Sequence, residues 1–196
     1  MTTPDVVAAM QPVAEVFERL GIRYYVGGSL ASSTRGLPRA SIDVDMAAEL
    51  RPEHVLPLVA ALRDQYYLEE GRVREAVAAR RSFNAIHLAT MMKVDVFVSR
   101  GRPFDRSAFE RLTPEVLDAV GPSRGYPMPR AEDVILLKLE WFRAGGEVSD
   151  RQWGDVIGVM RVTGAALDRS YLARWAPDLG VADLLDRGLA AAEAAG

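Results

Sequence analysis

Three aspartates in predicted strands are the residues of this chain whose type and spacing suit catalysis. Asp43 and Asp45 lie in the apolar segment IDVDM, and Asp95 interrupts the apolar segment KVDVFV. Because side chains alternate between the two faces of a strand, Asp43 and Asp45 point to one face and their apolar neighbours to the other. Two carboxylates placed side by side repel each other unless a cation or a basic group lies between them.

Asp95 completes a metal site if its strand is the neighbour of the strand that carries Asp43 and Asp45. Three carboxylates from two strands offer the hard oxygen ligands that suit Mg²⁺, which keeps several waters and takes further ligands from substrate phosphates. The sequence therefore predicts that Asp43, Asp45 and Asp95 bind Mg²⁺, with Mn²⁺ as an alternative. Two structural interpretations stay open. The DVD segment can form the solvent face of an edge strand, and Asp95 can pair with Lys93.

The segment VGGS, residues 26–29, ends another apolar run and suits a phosphate-binding turn. Gly27 and Gly28 allow backbone N–H groups to approach a polyphosphate closely, and a helix that begins near Ser29 directs its positive end at the anion. The Ser29 hydroxyl can donate a further hydrogen bond. By itself the segment more often marks a plain transition from strand to turn. Together with the aspartates it predicts a site for a nucleoside triphosphate and its metals.

The elements that must position these residues follow from apolar periodicity, which predicts alternating helices and strands first and helices alone afterwards. Helices are predicted within residues 5–21, 29–36, 52–67, 126–146, 149–164 and 168–196, and strands within residues 22–28, 41–50, 83–90 and 92–99. The last two strands are joined closely enough to form an antiparallel pair. Ser149 and Gln152 form a Ser-x-x-Gln capping box. The change from mixed to helical structure is predicted near residue 128.

Composition sets the cellular context that we expect. The chain of 196 residues has 49% hydrophobic residues and no cysteine, so it can bury a core and offers no disulfide or thiolate zinc site. The N-terminus has no basic leader, and no stretch approaches 18 uncharged apolar residues. We therefore expect a cytoplasmic protein with no membrane partner. The chain also has no Gly-x-x-x-x-Gly-Lys-Ser/Thr segment, so a P-loop ATPase is not supported.

The order of these segments resembles a known superfamily. VGGS, followed after 13 residues by DVDM and later by the isolated aspartate of VDVFV, is similar to the nucleotidyltransferases that include DNA polymerase beta and the tRNA CCA-adding enzymes. The positions that match the superfamily pattern are Gly27, Gly28, Ser29, Asp43, Asp45 and Asp95. Within the superfamily, the segment EDVILLKLEWFRAGGEVSDRQWGDVIGVM, residues 132–160, resembles small bacterial proteins related to AbiEii-type nucleotidyltransferase toxins. The resemblance covers roughly residues 10–165.

The resemblance implies an α/β (α+β) nucleotidyltransferase fold with a mixed, mostly antiparallel sheet flanked by helices in residues 1–128, and a C-terminal helical bundle in residues 129–196. It implies transfer of a nucleoside monophosphate, as from ATP, to an acceptor hydroxyl with two Mg²⁺ ions held by Asp43 and Asp45. Asp95 would complete the first metal site and help to take the acceptor proton. The alternative is a catalytically silent nucleotide-binding or partner-binding module of the antitoxin kind, and either version implies a cognate toxin or antitoxin protein as a partner.

Three basic residues are further candidates for nucleotide binding. Arg35 and Arg39 flank the loop before the aspartates, where they can contact phosphate or remain solvated. Lys138 lies in the apolar run VILLKLEWF, where a charge is costly without a partner. The resemblance implies that Lys138 faces the nucleotide phosphates, and the alternative is an ion pair with Asp155.

A basic segment suggests the identity of the acceptor. The net charge is −3, yet residues 72–111 carry nine basic and four acidic side chains. Its arginines, which bracket the strand of Asp95, are Arg72, Arg74, Arg80, Arg81, Arg100, Arg102, Arg106 and Arg111. A local basic surface beside the metals can steer an RNA, so an RNA acceptor of the tRNA kind is predicted. Alternatively these arginines form a solvated face and pair with Glu75, Asp105 and Glu110.

Overall fold

The computed structural model describes residues 3–37, 43–117 and 124–194. The chain divides into two compact units. The first consists of Met1–Gly27 and Ala40–Met128, and the second consists of Gly28–Arg39 and Pro129–Gly196. Across the described ranges, no helix combines the length and the apolar character needed to cross a bilayer.

The first unit is built on a five-stranded sheet with the strand order β1-β2-β5-β4-β3. Its strands are β1 (Tyr24–Val26), β2 (Asp43–Ala48), β3 (Tyr66–Tyr67), β4 (Ser82–His87) and β5 (Lys93–Val98). The pair β2–β5 is parallel, and the pairs β1–β2, β4–β5 and β3–β4 are antiparallel. The predicted fold class, with a mixed and mostly antiparallel sheet, is therefore confirmed.

Helices and a small second sheet complete the first unit. The helices are α1 (Thr3–Arg19), α3 (Val55–Leu62) after a 3-10 turn at Pro52–His54, α4 (Glu70–Ala79) and α5 (Pro103–Glu110). Strands β6 (Thr113–Val116) and β7 (Gly125–Met128) form an antiparallel pair. The sequence predicted α1 and both strands of the β4–β5 pair, but it assigned no element to α4, α5 or β6.

One face of the central sheet is apolar and buried. Val44 and Met46 of β2 and Val94 and Val96 of β5 are at most 1% exposed. Helix α1 contacts both strands and contributes a fully buried Phe17 to the same core. Because side chains alternate along a strand, burial of this face turns the aspartates of β2 and β5 to the other face.

The predicted helix over residues 52–67 is wrong at its C-terminal end. Helix α3 ends at Leu62, and Tyr66–Tyr67 forms strand β3, which pairs with β4. The Tyr66 side chain is buried, its hydroxyl donates to the carbonyl of Ala9 at 2.7 Å, and its ring lies 5.1 Å from that of His87. These long-range contacts favour an extended backbone over a further helical turn. They cannot be predicted from the apolar pattern of one segment, because they involve residues distant in the sequence.

The second unit is helical. It contains α2 (Gly28–Arg35), α6 (Ala131–Ala144), α7 (Asp150–Thr163), α8 (Arg169–Trp175) and α9 (Ala182–Ala194). The Ser149 half of the predicted capping box is confirmed, because the Ser149 hydroxyl accepts from the backbone N–H of Gln152 at 3.3 Å. Helix α2 packs on α7 through Gly36, where a Cβ atom would lie 2.9 Å from the backbone nitrogen of Val159.

Candidate active site

The parallel pairing of β2 and β5 brings the three predicted aspartates to one face of the sheet. Asp45 is the direct register partner of Asp95, and Asp43 is the partner of Lys93. All three aspartates are half-buried, whereas the residues between them are buried on the opposite face. Since adjacent strands lie about 4.8 Å apart, the three carboxylates share one small region of the sheet.

Lys93 provides a positive charge within this region. Its Nζ donates to Oδ2 of Asp95 at 2.7 Å, and the two side chains are 45% and 18% exposed. The hydrogen bond to Asp95 is the main cause that raises the pKa of Lys93, burial opposes it, and the negative charges of Asp95, Asp43 and Asp45 add to it. Lys93 is therefore one basic group that offsets repulsion among the carboxylates. The pairing of Asp95 with Lys93, which is the alternative to a metal role, is present in the structure.

The donor set fits a divalent cation in residue type and register, although the side chains are not arranged as a finished site. Carboxylate oxygens are the ligands that Mg²⁺ prefers. Within the described ranges, however, no three acidic or histidine side chains are grouped to hold a metal ion. Lys93 occupies Oδ2 of Asp95, so a metal bound by all three aspartates would use the other carboxylate oxygen of Asp95 or displace the ammonium group. The metal role of the three residues stays a prediction.

Gly27 ties the predicted phosphate turn to the strand of the aspartates. Its backbone N–H donates to the carbonyl oxygen of Asp45 at 2.9 Å, and a Cβ atom at this position would lie 3.4 Å from the ring of Tyr25. The amide of Gly27 is thus engaged within the first unit. Because this amide already has a partner, Gly27 would contribute to phosphate binding only by leaving space for the phosphate, since it has no side chain.

The remaining nucleotide-binding candidates belong to the second unit or lie outside the described residues. Gly28, with φ of 54°, and Ser29 begin helix α2. The Nε of Arg35 donates to the carbonyl of Pro129 at 3.1 Å. Arg39 lies outside the described residues. Phosphate binding by these residues stays a prediction.

Lys138 has a protein partner in the second unit. Its Nζ donates to Oδ2 of Asp155 at 2.7 Å, and the two side chains are only 12% and 8% exposed. The pairing that the sequence offered as an alternative to phosphate contact is therefore present. A phosphate role for Lys138 stays a prediction.

Most arginines of the basic segment, residues 72–111, bond to nearby carboxylates or backbone carbonyls of the protein. Arg72 pairs with Glu69, Arg74 with Glu70, and Arg102 with Asp105, as predicted for the last of these acids. Arg80 donates to the carbonyl of Arg100 at 2.6 Å, and Arg106 donates to that of Gly101. At least five of the eight arginines thus bond locally in the described part of the chain. This agrees with the alternative that the arginines pair within the chain, although of the three predicted acids only Asp105 is among these partners.

Sequence reasoning missed a pocket of about 420 Å³ beside β4. This β4–α4 pocket is lined by Tyr67, Leu68, Glu69, Arg72, Glu75, Ala76, Arg81, Ser82, Phe83 and Asn84. The only signal in the sequence is the alternation of polar and apolar residues in SFNAI, which turns Ser82 and Asn84 to one face. That face is the face of Asp95, because Asn84 is the register partner of Asp95 on the antiparallel neighbour strand.

Comparison with known proteins adds information about the fold. No family model matches the chain, and no curated protein matches its sequence. The solution structure of the antibiotic-resistance factor ANT(2'')-Ia has a TM-score of 0.57 at 11% identity, over 92% of this chain and 96% of that chain. The crystal structure of ANT(2'')-Ia with adenylyl-2''-tobramycin has a TM-score of 0.57 at 14% identity, over 90% and 99% of the two chains.

A third solved structure points the same way. An antigenic nucleotidyltransferase-like protein from Paracoccidioides brasiliensis has a TM-score of 0.52 at 12% identity, over 94% of this chain and 91% of that chain. Identities this low show a common fold and nothing finer, so the narrower resemblance to AbiEii-type toxins stays a prediction. The chain has the nucleotidyltransferase fold.

Proposed function

We propose that the protein transfers a nucleoside monophosphate from a nucleoside triphosphate to an acceptor hydroxyl. The observation that carries the proposal is the register of Asp45 with Asp95 and the placement of Asp43 on the same face of the sheet. Carboxylate oxygens from two adjacent strands on one face are the ligand type that Mg²⁺ prefers, and the fold is the one found in ANT(2'')-Ia.

The proposed reaction is an in-line displacement at the α-phosphorus. The acceptor oxygen forms a bond to the α-phosphorus while the bond to the bridging oxygen breaks, and pyrophosphate leaves. Asp95 accepts the proton of the acceptor hydroxyl. Two Mg²⁺ ions, held by Asp43, Asp45 and Asp95, would activate the acceptor oxygen and neutralise the triphosphate. Because positioning and charge neutralisation carry most of phosphoryl-transfer catalysis, no covalent intermediate on the protein is needed.

For the triphosphate we propose the start of α2. Gly28 and Ser29 present backbone N–H groups at the positive end of a helix, which favours anions. Arg35, Arg39 and Lys138 are further candidates for phosphate contacts. ATP is the first nucleotide to test, because ANT(2'')-Ia has been solved in complex with adenylyl-2''-tobramycin.

An acceptor assay tests the proposal directly. The protein is incubated with Mg²⁺ and each nucleoside triphosphate, radiolabelled at the α-phosphate, together with tRNA, total RNA, a protein extract or a small-molecule extract. We expect label in one fraction, loss of label with chelator, and loss in Asp45→Asn. Asp64→Asn is the matched control, because Asp64 is a carboxylate of the same unit that is 88% exposed. Equal labelling by Asp45→Asn and the wild type would contradict the proposal.

A second candidate is a nucleotide-binding or partner-binding module that performs no transfer. The ion pair between Lys93 and Asp95 favours it, because this pair already satisfies the residue proposed to accept the proton. Such a module would act with a cognate toxin or antitoxin encoded beside it. Calorimetry separates the two candidates. ATP binding that needs no divalent metal, together with no label in any acceptor fraction, would favour the silent module.

A further inference from the structure

The β4–α4 pocket continues the face of the sheet that carries Asp95. Asn84 and Asp95 are directly opposite on antiparallel strands, where side chains project to the same face and Cα atoms lie about 4.5–5.5 Å apart. Ser82 lies two residues before Asn84 and therefore shares this face. Both line the pocket. The pocket therefore extends to Asn84, the register neighbour of the group proposed to accept a proton.

The polar side chains of the pocket fall into two groups. Arg72 and Glu69 pair with each other at 3.2 Å, and the Tyr67 hydroxyl donates to Glu69 at 2.8 Å. Four other lining side chains, among the residues that the structure describes, have no hydrogen bond or ion pair, namely Glu75, Arg81, Ser82 and Asn84. The pocket thus offers one cation, one anion, one hydroxyl and one amide for a ligand.

These four groups define the chemistry of a complementary ligand. Arg81 would bind a carboxylate or phosphate through charge-assisted hydrogen bonds, and Glu75 would bind an amine in the same way. Arg81 would repel a polycation, and Glu75 would repel an RNA backbone, which offers only anionic groups. The volume of about 420 Å³ lies within the range of about 300–1,000 Å³ that small-molecule sites occupy.

We propose that the β4–α4 pocket binds the acceptor, and that the acceptor is a small zwitterionic molecule with a hydroxyl group. The reaction rests on the proposed function, whereas the ligand class rests on the pocket alone. The acid group binds Arg81, the amine binds Glu75, and the hydroxyl lies toward Asn84 and Asp95. Its oxygen forms the bond to the α-phosphorus, pyrophosphate leaves, and its proton passes to Asp95.

Binding is tested first, without nucleotide or metal. The probes are serine, homoserine and glycylserine as zwitterions, glucosamine as an amine, gluconate as an acid, and glucose as a neutral molecule. We expect only the zwitterions to shift the backbone amide resonances of Ser82 and Asn84. Absence of any shift with the zwitterions, or equal shifts with glucose, would overturn the ligand class whether or not the protein transfers nucleotides.

Transfer is tested next with the same probes, tRNA, Mg²⁺ and α-labelled ATP. We expect label on the zwitterions, and we expect Glu75→Gln and Arg81→Ala each to raise the KM for that acceptor about tenfold or more while the KM for ATP is unchanged. Glu53→Gln and Arg63→Ala, which alter exposed side chains outside the pocket, should leave both constants unchanged. Zwitterion binding without transfer would retain the pocket and remove the proposed reaction. Label on tRNA alone would overturn the pocket.

Discussion

Lys93 sets the charge balance among the three aspartates. Its ammonium group bonds to Asp95, and the negative charges of Asp43 and Asp45 also raise the pKa of Lys93. Lys93→Met should therefore lower the Tm of the metal-free protein, by about 1–4 °C for a partly exposed pair, because Asp95 loses its ion-pair partner. The same change should tighten Mn²⁺ and Mg²⁺ binding several-fold, since the metal no longer competes with an ammonium group.

Thermal unfolding and calorimetry measure both effects of Lys93→Met. Arg63→Met is the matched control, because it removes an arginine of the same unit that is 73% exposed. An unchanged metal affinity in Lys93→Met would show that the lysine does not compete for the carboxylates.

The three aspartates should differ in role. Asp43→Asn and Asp45→Asn should weaken binding of the metal–nucleotide complex and abolish transfer, because both are proposed to hold the metals. Asp95→Asn should spare more of the binding and lose the chemistry. Calorimetry with ATP, with and without chelator, measures the binding. If the Tm of the metal-free protein falls sharply in all three variants, the aspartates are structural.

The aspartate set was readable from the sequence, and its surroundings were not. Strand parity is a local property, so IDVDM alone turns Asp43 and Asp45 to one face. The bond from Lys93 to Asp95 depends on rotamers, and the pocket beside Asn84 depends on how α4 packs on β4. Neither rotamers nor packing between distant segments leave a periodic signal.

At the scale of the elements, His87 in strand β4 makes the stability of the fold depend on pH. The side chain is 8% exposed, its Nδ1 lies 2.8 Å from the Thr90 hydroxyl, and its ring packs against Tyr66. Burial lowers the pKa of His87, because the charged imidazolium loses its solvation. Below the ordinary value of about 6.5, the unfolded state therefore binds more protons than the folded state, and the free energy of unfolding falls as the pH falls.

His87→Gln should reduce this dependence. We expect the wild type to lose more free energy of unfolding between about pH 7.5 and about pH 5 than the variant, with a contribution of at most about 1.4 kcal/mol per pH unit. Urea unfolding at the two pH values gives the change in free energy for each protein, and the other titrating groups cancel in the difference between the two changes. The same pH dependence in both proteins would exclude His87 as the cause.

Elements with strong periodicity were predictable, and short elements set by tertiary contacts were not. Helices α1 and α7 carry long apolar repeats and a clear cap at Ser149, so their existence follows from the sequence. Strands β6 and β7 contain Pro114 and Pro127, which remove ladder donors and argue against a strand in isolation. The two-residue strand β3 exists because Tyr66 is buried against distant residues.

At the scale of the whole molecule, the distribution of charge bears on nucleic-acid binding. The net charge is −3, and at least five of the eight arginines in residues 72–111 bond within the described part of the chain. Long-range attraction of RNA requires a basic surface whose charges are available to phosphates. We therefore expect tRNA binding to be undetectable at physiological salt.

Titration of tRNA by fluorescence anisotropy over a range of salt concentrations tests this expectation. Arg81→Ala is the informative variant, because Arg80 donates to the carbonyl of Arg100 and its loss would disturb the loop before α5. Tight binding that weakens steeply with salt, and whose slope of log K against log salt flattens by about one unit in Arg81→Ala, would contradict the expectation. That result would make Arg81 a phosphate contact, and it would favour RNA over a small zwitterion as the acceptor.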